Sequence, residues 1–165
     1  MRKYNPATLM LIFILLTSAG QAFGQEQANK QPTGAKDVDL VALLEKSGYR
    51  YTKINEGVWE IPATGENVKE FSIRIVTAGE LVLALVKLAD RKSITMKDTL
   101  LVKLMELNHQ FDSAKLALSE EMLYVRIDVH ARLLDEQELK YLIEQIANAT
   151  DEAYPHIKPF VAGAK

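Results

Sequence analysis

Residues 122–153 read MLYVRIDVHARLLDEQELKYLIEQIANATDEA, and this stretch decides the fold. From Leu123 the chain alternates. Tyr124, Arg126, Asp128, His130 and Arg132 fall on one side, and Val125, Ile127, Val129, Ala131 and Leu133 on the other. A period of two belongs to a strand with one wet and one buried face, so a strand is expected over 123–133. The period then lengthens. Leu139, Leu142, Ile143, Ile146 and Ala149 recur at helical spacing, and Asp135 with Glu138 three residues on is a capping signature for that helix. Pro155 is expected to end or kink it, and Pro159 to keep the 156–165 tail from being helical.

Working outward, residues 100–118 read LLVKLMELNHQFDSAKLAL. Leu100, Leu104, Leu107 and Phe111 make one stripe of a helix running to about His109, with Thr95 and Asp98 as its capping pair. A short strand follows over 115–118, and Glu120-Glu121 lies in the turn to the long strand. Further back, residues 81–88 read LVLALVKL, apolar on both faces for most of their length. They form a hairpin with 68–76 across the Ala78-Gly79-Glu80 turn, and there Phe71, Ile73 and Ile75 point one way. Pro62 and Gly65 break the chain before it. Residues 50–60 carry Tyr51, Ile54, Val58 and Trp59 as one strand, which the Asn55-Glu56-Gly57 turn either bends or splits into a hairpin. Asp37 or Asp39 caps a first helix containing Leu40, Leu43 and Leu44, and Gly48 stops it. The expectation is an α+β domain over 37–155 in the order αβββαββα. Its five-stranded antiparallel sheet carries helices mainly on one face.

Residues 1–24 read as a signal peptide. Arg2 and Lys3 start it, an apolar stretch from Ala7 to Ser18 follows, and Ala19, Gly20, Ala22 and Gly24 supply small residues for cleavage after Ala22 or Gly24. The apolar run is short of the roughly 20 residues needed to cross a bilayer. Residues 25–36, QEQANKQPTGAK, read as a flexible linker. The expected location is therefore the periplasm or the extracellular space, with no stable membrane anchor once the leader is removed.

Of the 165 residues 48% are hydrophobic and 25% charged, which describes a globular chain. Net charge is −2, and loss of Arg2 and Lys3 leaves 18 basic against 22 acidic residues. A nucleic-acid binder needs the opposite balance to displace counterions from phosphates. The absence of cysteine excludes disulfides, thiolate metal sites, a Cys nucleophile and a lipidated leader.

The order of elements, and above all the two stretches 100–118 and 122–153, resembles the YbjN-like and type III secretion chaperone-like superfamily. The likeness covers about residues 37–155 and rests on pattern. It implies a non-enzymatic domain that binds other proteins, often as a dimer. The leader is a departure from the type III chaperones, which are cytosolic.

Catalytic motifs are missing. The sequence contains no GxSxG, HExxH, P-loop or GxGxxG. Glu120-Glu121 and Asp135-Glu136 pair carboxylates, but turn solvation and helix capping account for them. Asp128 and His130 share a strand face and are the candidate metal ligands, with His109 and Asp112 within possible reach. Arg126 and Arg132 on the same row repel a cation, so a cross-paired polar face is the favoured reading and no cofactor is expected. Tyr49, Tyr51, Trp59 and Phe71 line either a pocket or the core, the core being the commoner place for aromatics. The two-faced strand 81–88 offers Val82, Ala84 and Val86 as candidates for an interface with another protein or a second copy of the chain. The function expected is that of an exported protein-binding domain. The alternative is a small-molecule or metal binder of the periplasm.

Overall fold

The structure, a computed structural model, describes residues 39–163. The expected leader and linker lie outside them. The first helix, α1 (Leu40–Ser47), begins where Asp39 Oδ1 accepts the Ala42 N–H at 3.0 Å and ends at Gly48, whose φ of 79° is left-handed. Leu40 and Leu44 face inward.

Of the two readings open for residues 50–60, a bent strand or a hairpin, the structure has the hairpin. Strands β1 (Thr52–Asn55) and β2 (Val58–Ala63) form a hairpin about Glu56-Gly57, with Gly57 at φ 73°. Strands β3 (Phe71–Ala78) and β4 (Leu81–Asp90) form the expected second hairpin. Helix α2 (Asp98–Gln110) leads to β5 (Lys115–Leu118) and β6 (Met122–His130), and α3 (Glu136–Ile157) closes the domain. Among the described residues the sheet therefore has six strands rather than five, all antiparallel, in the order β1-β2-β3-β4-β6-β5. The element order is αββββαββα. Beta-6 stops at His130, because Ala131–Leu133 turn as a 3-10 helix.

All three helices contribute to one core on one face of the sheet. Leu44 of α1, Leu100 and Leu107 of α2, and Leu139, Leu142 and Ile146 of α3 meet Ile73, Ile75, Ala84, Leu123 and Val125 there. The cap of α3 is as expected, with Asp135 Oδ1 accepting the Glu138 N–H at 2.8 Å. The start of α2 is not. Thr95 lies outside the helix, whose first residue is Asp98 and whose N-cap is Lys97. The segment before it stays extended because it pairs with the C-terminal residues. The Thr95 N–H donates to Phe160 O and the Ala162 N–H to Ser93 O, both at 2.8 Å, and Ile94 bridges Val161.

Helix α3 also continues through Pro155, two residues beyond its expected end. Proline lacks the N–H that would bond the carbonyl four residues back, which here is Asp151. Asn67 fills the vacancy, its Nδ2 donating to Asp151 O at 3.2 Å. The Asp151 carboxylate in turn accepts the Asn67 and Val68 N–H groups at 2.8 and 2.9 Å. Gly65 lies so close to that carboxylate that a Cβ would collide with it. The β2–β3 loop is thus tied to the middle of the covering helix. Partial burial works to raise the Asp151 pKa, but the N–H groups of Val68, Asn67 and Glu66 outweigh it and hold the carboxyl below its ordinary value.

Asp151→Asn is accordingly expected to lower stability by about 1 kcal/mol near neutral pH, a solvent-screened charged hydrogen-bond cluster being worth little more. The folded pKa is the lower one, so the contribution is complete above about pH 4 and vanishes as pH falls through the folded value. Urea midpoints of the two proteins should differ at pH 7 and converge in strong acid.

Candidate functional site

The register of the sheet fixes which side chains face the helices and which do not. Beta-4 pairs Ala84 with Ile75 on one side and with Ile127 on the other, and all three are buried. Val82, Ala84 and Val86, the residues expected at an interface, are 1%, 0% and 1% exposed and belong to the core beneath the helices. The row available on the opposite face is Leu81, Leu83, Leu85 and Lys87. The outward row is set one residue over from the expected one, and a shift of one residue inverts every side chain of a strand.

Among the described residues no element covers that opposite face. One row crosses it as Val58, Val76, Leu83 and Asp128, and the next as Glu60, Arg74, Leu85 and Arg126. Val58, Val76, Leu83, Leu85 and Tyr124 are half-buried. The charged groups pair within the face. Arg74 Nε donates to Glu60 Oε2 at 3.3 Å, and the Arg126 guanidinium forks the Asp128 carboxylate. His130 Nε2 lies 3.1 Å from Glu80 Oε2. Asp128 and His130, the candidate metal ligands, therefore engage separate partners. Among the described residues no three His, Cys, Asp or Glu side chains converge as a metal site.

The two outer edges of the sheet are blunted. Beta-1 has four exposed residues and an irregularity between Lys53 and Asn55. Beta-5 is bonded along its free edge by one side chain. The Leu116 N–H donates to Asn108 Oδ1 at 2.6 Å, and Asn108 Nδ2 donates to Leu116 O at 3.0 Å. This is how soluble sheets avoid unwanted pairing. Lys115 completes the junction by donating to Asn108 O and Phe111 O at the end of α2.

Inside the sheet one stretch is left open. The β3–β4 ladder stops at Arg74–Leu85, yet β3 extends back to Phe71 and β4 onward to Asp90. Beyond that point β3 follows β2, pairing Phe71 with Ala63, and β4 follows β6, pairing Asp90 with Met122. The strands diverge around a cavity of about 440 Å³ lined by Phe71, Ser72, Leu88, Tyr124, Thr150 and Tyr154 among others. Nothing in the sequence signalled this wedge. Of the four aromatics considered for a pocket, Phe71 lines it; Trp59 is buried in the core, and Tyr49 and Tyr51 pack against the core.

Substitutions separate the two faces of β4. Val82→Asp places an unpaired charge in the core and should prevent stable folding. Leu83→Asp, its neighbour on the open face, should cost no more than about 1 kcal/mol. Thermal melts of both would decide the assignment.

The chain matches a family model described as T3SS (YopN, CesT) and YbjN peptide-binding chaperone 1 over residues 74–164. No curated protein matches it in sequence. Among solved structures it is similar to a chain of the heterodimeric ExoU–SpcU complex from the type III secretion system of Pseudomonas aeruginosa. The identity is 18% and the TM-score 0.54, over 72% of this chain and 97% of that one. It is also similar to YbjN from E. coli, at 16% identity and TM-score 0.53 over 71% and 89% of the two chains. A chain of the ExsC–ExsE complex is similar at 10% identity and TM-score 0.50, over 72% and 90%. At these identities the likeness to solved structures is one of fold.

Proposed function

We propose a function from one premise: the chain belongs to the T3SS (YopN, CesT) and YbjN peptide-binding chaperone family. It is an exported, chaperone-like module that holds an extended stretch of another protein against the open face of its sheet, and it carries out no covalent chemistry. The observation that carries this reading is the row Val58, Val76 and Leu83, apolar side chains in register across three strands with no described element over them. An extended polypeptide sends alternate side chains to the same side, about 6–7 Å apart, and such a face receives them. Because the charges on it are paired with one another, recognition rests on shape and apolar contact rather than on attraction of a charged ligand. Two of the solved structures that the fold resembles are complexes, the ExoU–SpcU heterodimer and ExsC–ExsE, which supports a protein ligand. Export rests on the composition of residues 1–24.

A photo-reactive benzoylphenylalanine at position 83 is expected to cross-link the protein to a segment of a partner in its host, while the same group at exposed Glu152 on the back of α3 should not. Equal labelling from both positions would count against the open face. Amino-terminal sequencing of the protein from the host envelope or medium should give a chain beginning at Phe23 or Gln25. A chain still starting at Met1 would overturn export by a cleaved leader.

A second reading, self-association, is favoured by a separate feature. On the outer side of α2, Leu101, Val102 and Met105 are exposed, Met105 at 73%. Leu118 of β5, the strand on which α2 packs, is exposed as well. Large apolar side chains clustered this way mark contact surfaces. Light scattering at tens of micromolar is expected to give twice the monomer mass for the wild type and the monomer mass for a Val102→Asp, Met105→Glu variant.

A further inference from the structure

We infer that the wedge between β3 and β4 is an anchor subsite that takes one side chain of the bound polypeptide, and that tyrosine fits it best; the inference rests on the peptide-binding reading. Three observations select this occupant. The first is the broken ladder. Past Arg74–Leu85 the facing edges of β3 and β4 are no longer paired with each other, and unpaired main-chain groups of a sheet are a template on which another main chain can pair. The sheet's outer edges are short or capped by Asn108, so the wedge is where a peptide backbone has donors and acceptors to meet.

The second is the lining. Phe71, Leu88, Met122, Tyr124 and Tyr154 give it an apolar and aromatic wall, the charged Glu60, Glu70, Arg74 and Lys87 also border it, and its volume of about 440 Å³ lies in the range of ligand pockets. The third lies on that lining, on α3. Thr150 is 1% exposed, and among the described residues its buried Oγ1 has no hydrogen-bond partner. An unpaired buried hydroxyl costs free energy unless something reaches it. The occupant is therefore apolar along its body and carries a hydrogen-bonding tip. A phenol meets both conditions, donating to or accepting from Thr150. An aliphatic side chain meets only the first.

The test uses protein purified as its host makes it and three fluorescein-labelled octapeptides of alternating Val and Ser that differ at one central residue, Tyr, Phe or Ala. Fluorescence polarisation is expected to rank them Tyr, Phe, Ala, with Ala weaker than Tyr by about tenfold or more. Thr150→Val, nearly the same shape without the hydroxyl, should bring Tyr down to Phe and leave both above Ala. It should also melt no lower than the wild type, because it removes an unpaired polar group. Leu83→Asp should weaken all three peptides alike. Equal binding of the three peptides to wild type, still lost in Leu83→Asp, would overturn the wedge and leave the open face standing. Binding of none of them would overturn both. A Tyr preference that survives Thr150→Val would overturn the role of the hydroxyl.

Discussion

One missing N–H organises the end of the domain where the open features lie. Pro155 leaves the Asp151 carbonyl without its helical donor, and the β2–β3 loop supplies one from Asn67 while placing two backbone N–H groups on the Asp151 carboxylate. Gly65 is required where the loop meets that carboxylate, since any side chain would displace it. The consequence reaches into the sheet. Beta-3 begins at Phe71, directly after a loop held on α3, and its first residues pair with β2 but not with β4. The tie to the helix and the splitting of the sheet lie at the same end of the same strand, and Thr150, next to Asp151 on α3, lines the gap between them.

The one-sided architecture follows from simpler chemistry. Three amphipathic helices supply enough apolar surface for one face of the sheet, and the other face is left with half-buried Val, Leu and Tyr side chains diluted by ions. Those ions pair across neighbouring strands, Glu60 with Arg74, or along one strand, Arg126 with Asp128. Such exposed pairs add little stability. Their effect is to leave a face that is neutral, partly apolar and regular in spacing, which suits an extended ligand better than a globular one.

How far the sequence could be read depended on whether each element carried a single signal. Beta-6 alternates without exception and α3 repeats at helical spacing behind an Asp cap, so both were legible from residues 122–153 alone. In β4, LVLALVKL is apolar on both faces, and nothing internal to it says which face turns inward. Its neighbours decide, because Ile73 and Ile75 in β3 and Val125 and Ile127 in β6 alternate clearly and the ladders carry their parity into β4. Beta-1 has four residues, all exposed, and without a buried row a bent strand and a hairpin look alike. Thr95 resembled a cap, but the long-range bridge to Val161 holds that segment extended, and no local pattern reports such a contact.

The wedge belongs to a different category. Each residue on its walls has an ordinary local role: Phe71 opens a strand, Leu88 sits at a bulge in the β4–β6 ladder, and Thr150 rides on the inner face of a helix. What makes them a site is the place where one ladder stops, and that is set by competition among three pairings. Beta-3 has β2 and β4 as neighbours, and β4 has β3 and β6. Where the sheet twists and the β2–β3 loop is tied to α3, each strand keeps its outer partner and the shared pairing is given up. A sheet that closed this gap would seal off Thr150, whose hydroxyl is already buried and unpaired among the described residues. Left open, the gap runs up to that side chain, so the unsatisfied group and the interrupted ladder lie in one arrangement.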